Sequence, residues 1–168
     1  MSEIFEVVIF TASLSQYAIP LIKRLDKHSH NFDQLYREHC TFHKGMYFVK
    51  DLTKLGRDMK DVIIIDNSPS AYLFQPENAI AITSWYHTKT DRELYKLVPF
   101  LTNLAEVDDV RKYLSKSKSY SSPRFKPPGS PKSAKIHETP KTLNVSKSAR
   151  TLFKNGDNSP VSGSPFIL

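Results

Sequence analysis

Thr11 and the pair Asp66-Asn67 each stand directly after a run of apolar residues, Val7–Phe10 in one case and Val62–Ile65 in the other. A hydroxyl, a carboxylate and a carboxamide are side chains that bind phosphate oxygens and a hard divalent cation. In an open α/β sheet, ligands bind in the crevice beyond the carboxyl ends of the strands. Two apolar runs that end in such groups therefore face one shared site. The recurring arrangement, FTAS at Phe10–Ser13 and DNSP at Asp66–Pro69, points to phosphate and cation chemistry at that crevice.

The remaining reactive residue types add little. His28, His30, His39, His43, His87 and His137 have no convincing metal-ligand spacing. Cys40, the single cysteine, excludes an intramolecular disulfide and a cysteine-based zinc site. It reads as a packed thiol in a reducing compartment.

The elements that must position Thr11 and Asp66 follow from local pattern. Glu6–Phe10 and Val62–Ile65 are continuous apolar runs of the kind found in buried parallel strands. Ser13 and Gln16 form a capping box that predicts a helix to about Lys27, with Pro20 inside it. Short strands are expected around Phe42, Tyr47 and Phe48, and a short helix over Asp51–Lys60. Asn67 or Ser68 caps a further helix with Pro69 in its first turn. Ala79–Ile82 reads as a third strand. An amphipathic helix opens at Asp91 and runs through Leu94, Leu97, Phe100, Leu101 and Leu104, and a last one covers roughly Val107–Leu114. Strands alternating with helices predict an α/β fold with a mostly parallel sheet.

The 168-residue chain divides sharply in composition. Residues 1–114 carry 14 Lys+Arg against 15 Asp+Glu, whereas residues 115–168 carry 10 against 2, so the net charge of +7 belongs to the tail. Seven of the 11 prolines and 12 serines also lie there, which predicts a disordered basic tail following one domain over 1–114. Ser122, Ser130, Thr139, Ser159 and Ser164 each precede a proline and are candidate sites for proline-directed kinases. The dispersed lysines could hold nucleic acid or anionic lipid. No apolar run approaches the ~20 residues of a membrane span, and Met1–Phe10 does not read as a secretory signal. An intracellular protein without a transmembrane segment is expected.

Several segments together carry a resemblance: Phe10-Thr11-Ala12-Ser13 with Tyr17, Val49-Lys50-Asp51-Leu52, and Asp66-Asn67-Ser68-Pro69. Leu55-Gly56-Arg57-Asp58, Pro76 with Asn78-Ala79, and Ser84-Trp85 extend it from Phe5 to Leu114. The chain resembles the small phosphatases that act on the carboxy-terminal domain of RNA polymerase II, within the haloacid-dehalogenase-type superfamily. That resemblance implies a Rossmannoid three-layer sandwich and a Mg²⁺-dependent serine/threonine phosphoprotein phosphatase working through an aspartyl-phosphate. By the same resemblance, Thr11 binds a phosphoryl oxygen and Lys50 neutralises the phosphate. Asp66 and Asn67 belong to the metal site, and Leu14, Tyr17 and Arg37 contact the substrate peptide. The implied partner is a phosphorylated protein or peptide, such as the RNA polymerase II tail, in the nucleus or cytoplasm.

Two departures shape the expectation. The family's D-x-D-x-[TV] motif, which supplies the nucleophile and the acid/base, occurs nowhere in these 168 residues. The domain is therefore expected to be truncated at its N-terminus and inactive as written, with Mg²⁺ bound only if that motif were restored. The missing strand is central in the superfamily fold, between the strands that end at Thr11 and Asp66. Two apolar edges are expected there, prone to pairing with other chains. Gly45–Lys50 is also one residue longer than the usual G-x-Y-[VI]-K, which could turn Lys50 away from the site. The rival readings are a non-catalytic phosphopeptide-binding adaptor that keeps Thr11, Lys50 and Arg37, and a mitochondrial inner-membrane translocase subunit that shares the domain. The second is disfavoured by the lack of a targeting segment or membrane helix.

Overall fold

Glu6–Phe10 (β1) and Val62–Asp66 (β5) form as buried strands, as their unbroken apolar runs require. The computed structural model describes residues 1–117 and 165–168. Asp33–Leu35 (β2), Ala79–Ala81 (β6) and Phe166–Ile167 (β7) complete a five-stranded sheet in the order β2-β1-β7-β5-β6, and every pairing in it is parallel. Thr41–His43 (β3) and Tyr47–Val49 (β4) make a separate antiparallel hairpin. The helices are Ser15–Leu25 (α1), Glu93–Leu104 (α2) and Val110–Lys116 (α3).

Alternation along the strands divides the core between the two sheet faces. Val8, Phe10, Val62, Ile64 and Phe166 point to one face, against Leu52, Ala71 and Tyr72. Ile63 and Ile167 point to the other, where α2 and α3 bring Leu97, Leu101, Leu104, Val110 and Leu114. This is the α/β fold expected, a parallel sheet covered on both faces. Asn78, fully buried, donates to the carbonyls of Met59 and Val62 (2.6 and 2.7 Å) and so anchors the start of β5.

The centre of the sheet differs from the expectation of two bare edges. Phe166 and Ile167 pair with Glu6 and Val7 on one side and with Val62 and Ile63 on the other. Phe166-Ile167-Leu168 is an apolar triplet, and burying each such side chain is worth about 1.5–3 kcal/mol. The two facing strand edges supply its hydrogen bonds, so the chain itself fills the gap. The tail thus contributes its last residues to the sheet, and Ser115 and Lys116 finish α3. Ser122, Ser130, Thr139, Ser159 and Ser164 lie outside the described residues.

Local expectations fail where tertiary contacts claim the same groups. The Ser13–Gln16 capping box does not form. Ser13 N–H donates to Thr11 Oγ1 and its carbonyl accepts from Arg37 N–H, so Leu14 becomes the N-cap without a side-chain cap. No helix follows Pro69. Ser68 N–H turns back to Asp66 Oδ1 and the chain folds through turns, which lets Ala71 and Tyr72 reach the core. Asp51–Lys60 is not one helix but two 3₁₀ turns, Leu52–Leu55 and Met59–Asp61, parted by Gly56 at φ 68°. α2 begins at Glu93, two residues after the expected start, with Arg92 as its N-cap and Glu93 N–H donating to Asp91 Oδ1 (3.3 Å).

Asp109 caps α3 through Arg111 N–H (3.0 Å) and binds the Arg111 guanidinium through both oxygens (2.9 Å each). Those bonds to Arg111 hold its carboxyl at about 2, below the ordinary aspartate value near 3.9. A lowered folded-state value means the contribution is complete above pH ~4 and is lost as pH falls toward ~2. In chemical denaturation from pH 6 to 2, D109N is expected to be less stable than wild type at neutral pH, with the two curves converging below pH ~4.

Candidate functional site

β1 and β5 both deliver their carboxyl ends to one side of the sheet, on either side of β7, where a ligand crevice is expected in an open α/β fold. A cavity of about 370 Å³ opens there. Thr11, Lys50, Asp66, Asn67, Ser68 and Ser70 supply its polar lining. The structure thus brings together the four residues expected to handle phosphate and cation.

Lys50 reaches the site at the end of a regular hairpin. β3 and β4 pair without a bulge, Thr41 with Val49 and His43 with Tyr47, and Lys44–Met46 carry the reversal. Lys44 (φ 51°) and Gly45 (φ 69°) take the left-handed conformations this demands. Lys50 then leaves β4 with its N–H bonded to the Ala71 carbonyl (2.7 Å), which fixes its backbone beside β5. Gln75 holds the next residues, accepting from Leu52 N–H (3.1 Å) and donating to Asp51 Oδ1 (3.2 Å).

The Lys50 ammonium donates to Asp66 Oδ2 at 2.5 Å, with both residues under 10% exposed. A buried ion pair persists only with good geometry and further hydrogen bonds. Here Asp66 Oδ1 accepts from Ser68 N–H (2.7 Å). An ammonium has three donors, so Lys50 can hold Asp66 and still offer protons to an incoming anion. Thr11 Oγ1 accepts from Ser13 N–H (3.1 Å), which leaves the hydroxyl proton of Thr11 to donate into the cavity. The arrangement suits a phosphoryl group: a cationic and a hydroxyl donor held at the carboxyl ends of strands.

The expected peptide-contact residues sit differently. Leu14 and Tyr17 are exposed on the first turn of α1 and do not line the cavity. Arg37 donates through Nε to the Ala12 carbonyl (2.6 Å) and lies 4.7 Å from the Phe48 ring centre. It thereby fixes the Thr11–Ser13 loop against the β3–β4 hairpin. Sequence reasoning missed Met46, Tyr47 and Phe48 as cavity walls, because their distance in sequence from both strands carries no signal. Ser68, read in the sequence as a helix cap, and Ser70, which carried no signal there, are linked Oγ to Oγ at 2.9 Å.

Mg²⁺ prefers an octahedron of hard oxygens, usually including carboxylates. Among the described residues, Asp66 is the one carboxylate lining this cavity, and both its oxygens are engaged. The Asn67 amide nitrogen donates to Ser84 Oγ (2.8 Å), leaving its carbonyl oxygen as donor to a metal. Among the described residues, no three His, Cys, Asp or Glu side chains gather where they could hold a metal. The residues present do not by themselves fit Mg²⁺.

Cys40 packs beside this site against the core. Burial pushes its thiol up to about 11, outweighing the nearby charges of Lys50 and Arg37. Reaction with a disulfide reagent at pH 8 should be roughly 100-fold slower in the folded chain than in the urea-unfolded one, following the thiolate fraction.

Comparison with known proteins places this geometry. Residues 1–111 match the family model of the NLI interacting factor-like phosphatases. A probable C-terminal domain small phosphatase of Dictyostelium discoideum is 54% identical over 119 residues, 71% of this chain and 39% of that protein. The human carboxy-terminal domain RNA polymerase II polypeptide A small phosphatase 1 is 51% identical over 110 residues, 66% of this chain and 42% of that protein. Phosphatase Herzog of Drosophila melanogaster is 44% identical over 117 residues, 70% of this chain and 33% of that protein. The chain thus spans about two fifths of the length of the first curated relatives it matches. No helix among the described residues is long and apolar enough to cross a membrane. With a family model covering most of its length and relatives at half identity, the chain belongs to the NLI interacting factor-like phosphatase family.

Proposed function

We propose that the 168-residue chain is the phosphate-recognition part of a phosphoserine/phosphothreonine protein phosphatase, and that it binds a phosphorylated peptide without hydrolysing it. The observation that carries this reading is the buried Lys50–Asp66 pair at the floor of the cavity, with the Thr11 hydroxyl at its wall. A phosphoryl group bound there would meet Lys50 and Thr11 as donors, while Asp66 keeps Lys50 aimed. Hydrolysis through an aspartyl-phosphate needs a nucleophilic carboxylate that is free to attack. Asp66 is tied to Lys50 and Ser68, and the sequence contains no D-x-D. Mg²⁺ dependence would return only with those further carboxylates. The names of the relatives support a phosphorylated protein as partner, with the RNA polymerase II carboxy-terminal domain the first to try, in the nucleus or cytoplasm.

The test is fluorescence anisotropy with a labelled phosphoserine peptide from that domain and its unphosphorylated twin. Preferential binding of the phosphopeptide is expected, unchanged by EDTA and with no phosphate released on prolonged incubation with Mg²⁺. Equal binding of the twins would remove the phosphate-recognition reading. Phosphate release that requires Lys50 would overturn the non-catalytic one.

A further inference from the structure

The turn that joins α1 to β2 holds two histidines in a fixed arrangement. Asp26, the C-cap of α1, accepts from the N–H of His30 through Oδ1 (3.0 Å) and from the N–H of Asn31 through Oδ2 (3.1 Å). His30 Nδ1 donates to the same Oδ1 (3.0 Å). Phe32 stacks on the His30 ring, with ring centres 5.0 Å apart and planes 9° from parallel. Ser29 (φ 53°) and Asn31 (φ 52°) take left-handed conformations on either side of His30, which non-glycine residues seldom do. An exposed imidazole is thus held by a carboxylate at one nitrogen and by an aromatic face. The His28 ring stands edge to face with it, centres 5.7 Å apart and planes at 77°.

A neutral imidazole that gives its Nδ1 proton to a carboxylate keeps Nε2 as a lone-pair donor, with tautomer and ring direction already fixed, which is how metal-binding histidines are commonly oriented. Two imidazoles that share a cation at about 2.1 Å stand with ring centres about 5 to 5.5 Å apart, so a small rotation from 5.7 Å suffices. Imidazole favours borderline transition ions, whereas Mg²⁺ takes hard oxygens. We propose that His28 and His30 form a two-histidine site for a divalent transition ion, Zn²⁺ in the first instance, with Asp26 as the positioning residue behind His30. Asp26 is not itself a ligand, because both its oxygens are engaged in the turn, and water completes the coordination. The site lies beyond the far end of α1 from the Thr11–Ser13 loop, about 16 Å along an 11-residue helix, and is therefore separate from the phosphate crevice. The carbonyl end of α1 favours a cation, while Lys23 and Arg24 in its last turn oppose one, which keeps the affinity moderate. A bound ion would hold the α1–β2 turn closed and stabilise the fold by mass action.

Zn²⁺ alone, titrated into the full chain, tests this by calorimetry and by ¹⁵N spectra of the histidine side chains. One equivalent is expected to bind with a Kd on the order of 10 µM, moving the ring-nitrogen resonances of His28 and His30 together. Mg²⁺ at about a hundredfold excess should not displace it. H28Q and H30Q should each weaken binding about tenfold or more, and D26N by a similar factor, with His30 moving toward its other tautomer. The exposed His28 makes no hydrogen bond in the turn, so H28Q leaves the fold in place and keeps the test decisive. Affinity of H28Q within about twofold of wild type would overturn the proposal. So would Zn²⁺ that moves other histidines instead, displacement by Mg²⁺, or no binding up to about 1 mM.

Discussion

Replacing Lys50 with Met is expected to lower the unfolding free energy by about 3–5 kcal/mol and to abolish phosphopeptide binding, because it leaves the Asp66 carboxylate buried without its counter-charge. The side chains are similar in length, so lost volume is a minor part of the effect. Lys50 is 8% exposed and Asp66 9%, which leaves little water to replace the ammonium. The double variant K50M/D66N should recover most of the stability and none of the binding. Urea denaturation of wild type, both single variants and the double variant closes the cycle. If K50M alone fell within about 1 kcal/mol of wild type, the pair would be behaving as a solvated surface bridge.

A second large effect is expected far along the sequence. Phe166→Ala should cost about 3–5 kcal/mol, a substantial share of the 5–15 kcal/mol that holds a typical domain together. Phe166 is 4% exposed and packs with Phe10, Val62 and Ile64 across the centre of the sheet. Its ring also lies beneath the Arg57 guanidinium, 5.6 Å from the ring centre, and Arg57 in turn binds both oxygens of Glu6 (3.0 and 2.7 Å). Truncating it would open a cavity between β1 and β5 and loosen the strands that carry Thr11 and Asp66. Thermal and urea unfolding measure the loss. A change below about 1 kcal/mol would mean that the sheet closes without β7.

What could be read in advance depended on how local the determinant was. β1, β5 and α2 announced themselves because a buried parallel strand is apolar at every position and a packed helix repeats its apolar residues. Thr11, Asp66 and Asn67 followed directly, since their place at strand ends fixes where they point. Lys50 was legible as a site residue only through the family pattern. Its orientation depends on the β3–β4 register and on the bond from its N–H to the Ala71 carbonyl, and no periodicity encodes either. β7 left no trace, because two strand residues in a proline- and serine-rich stretch have no period. Their conformation is dictated by two facing edges more than a hundred residues away. The failed helix after Pro69 is the reverse case: good local capping residues were overruled by the burial of Tyr72 and by the bond from Lys50 N–H to Ala71.

The position of β7 also governs how the molecule can be made. Of the described elements, the strand at the middle of the sheet is the last to leave the ribosome. At 5–20 residues per second, the stretch between α3 and β7 takes about 2.5 to 10 s to synthesise. Until Phe166 and Ile167 arrive, β1 and β5 lack the β7 pairing that joins them. Pairing at such sequence separation is intrinsically slow. Closure of the sheet centre by Phe166 and Ile167 is accordingly the step expected to limit how fast β1, β7 and β5 come together.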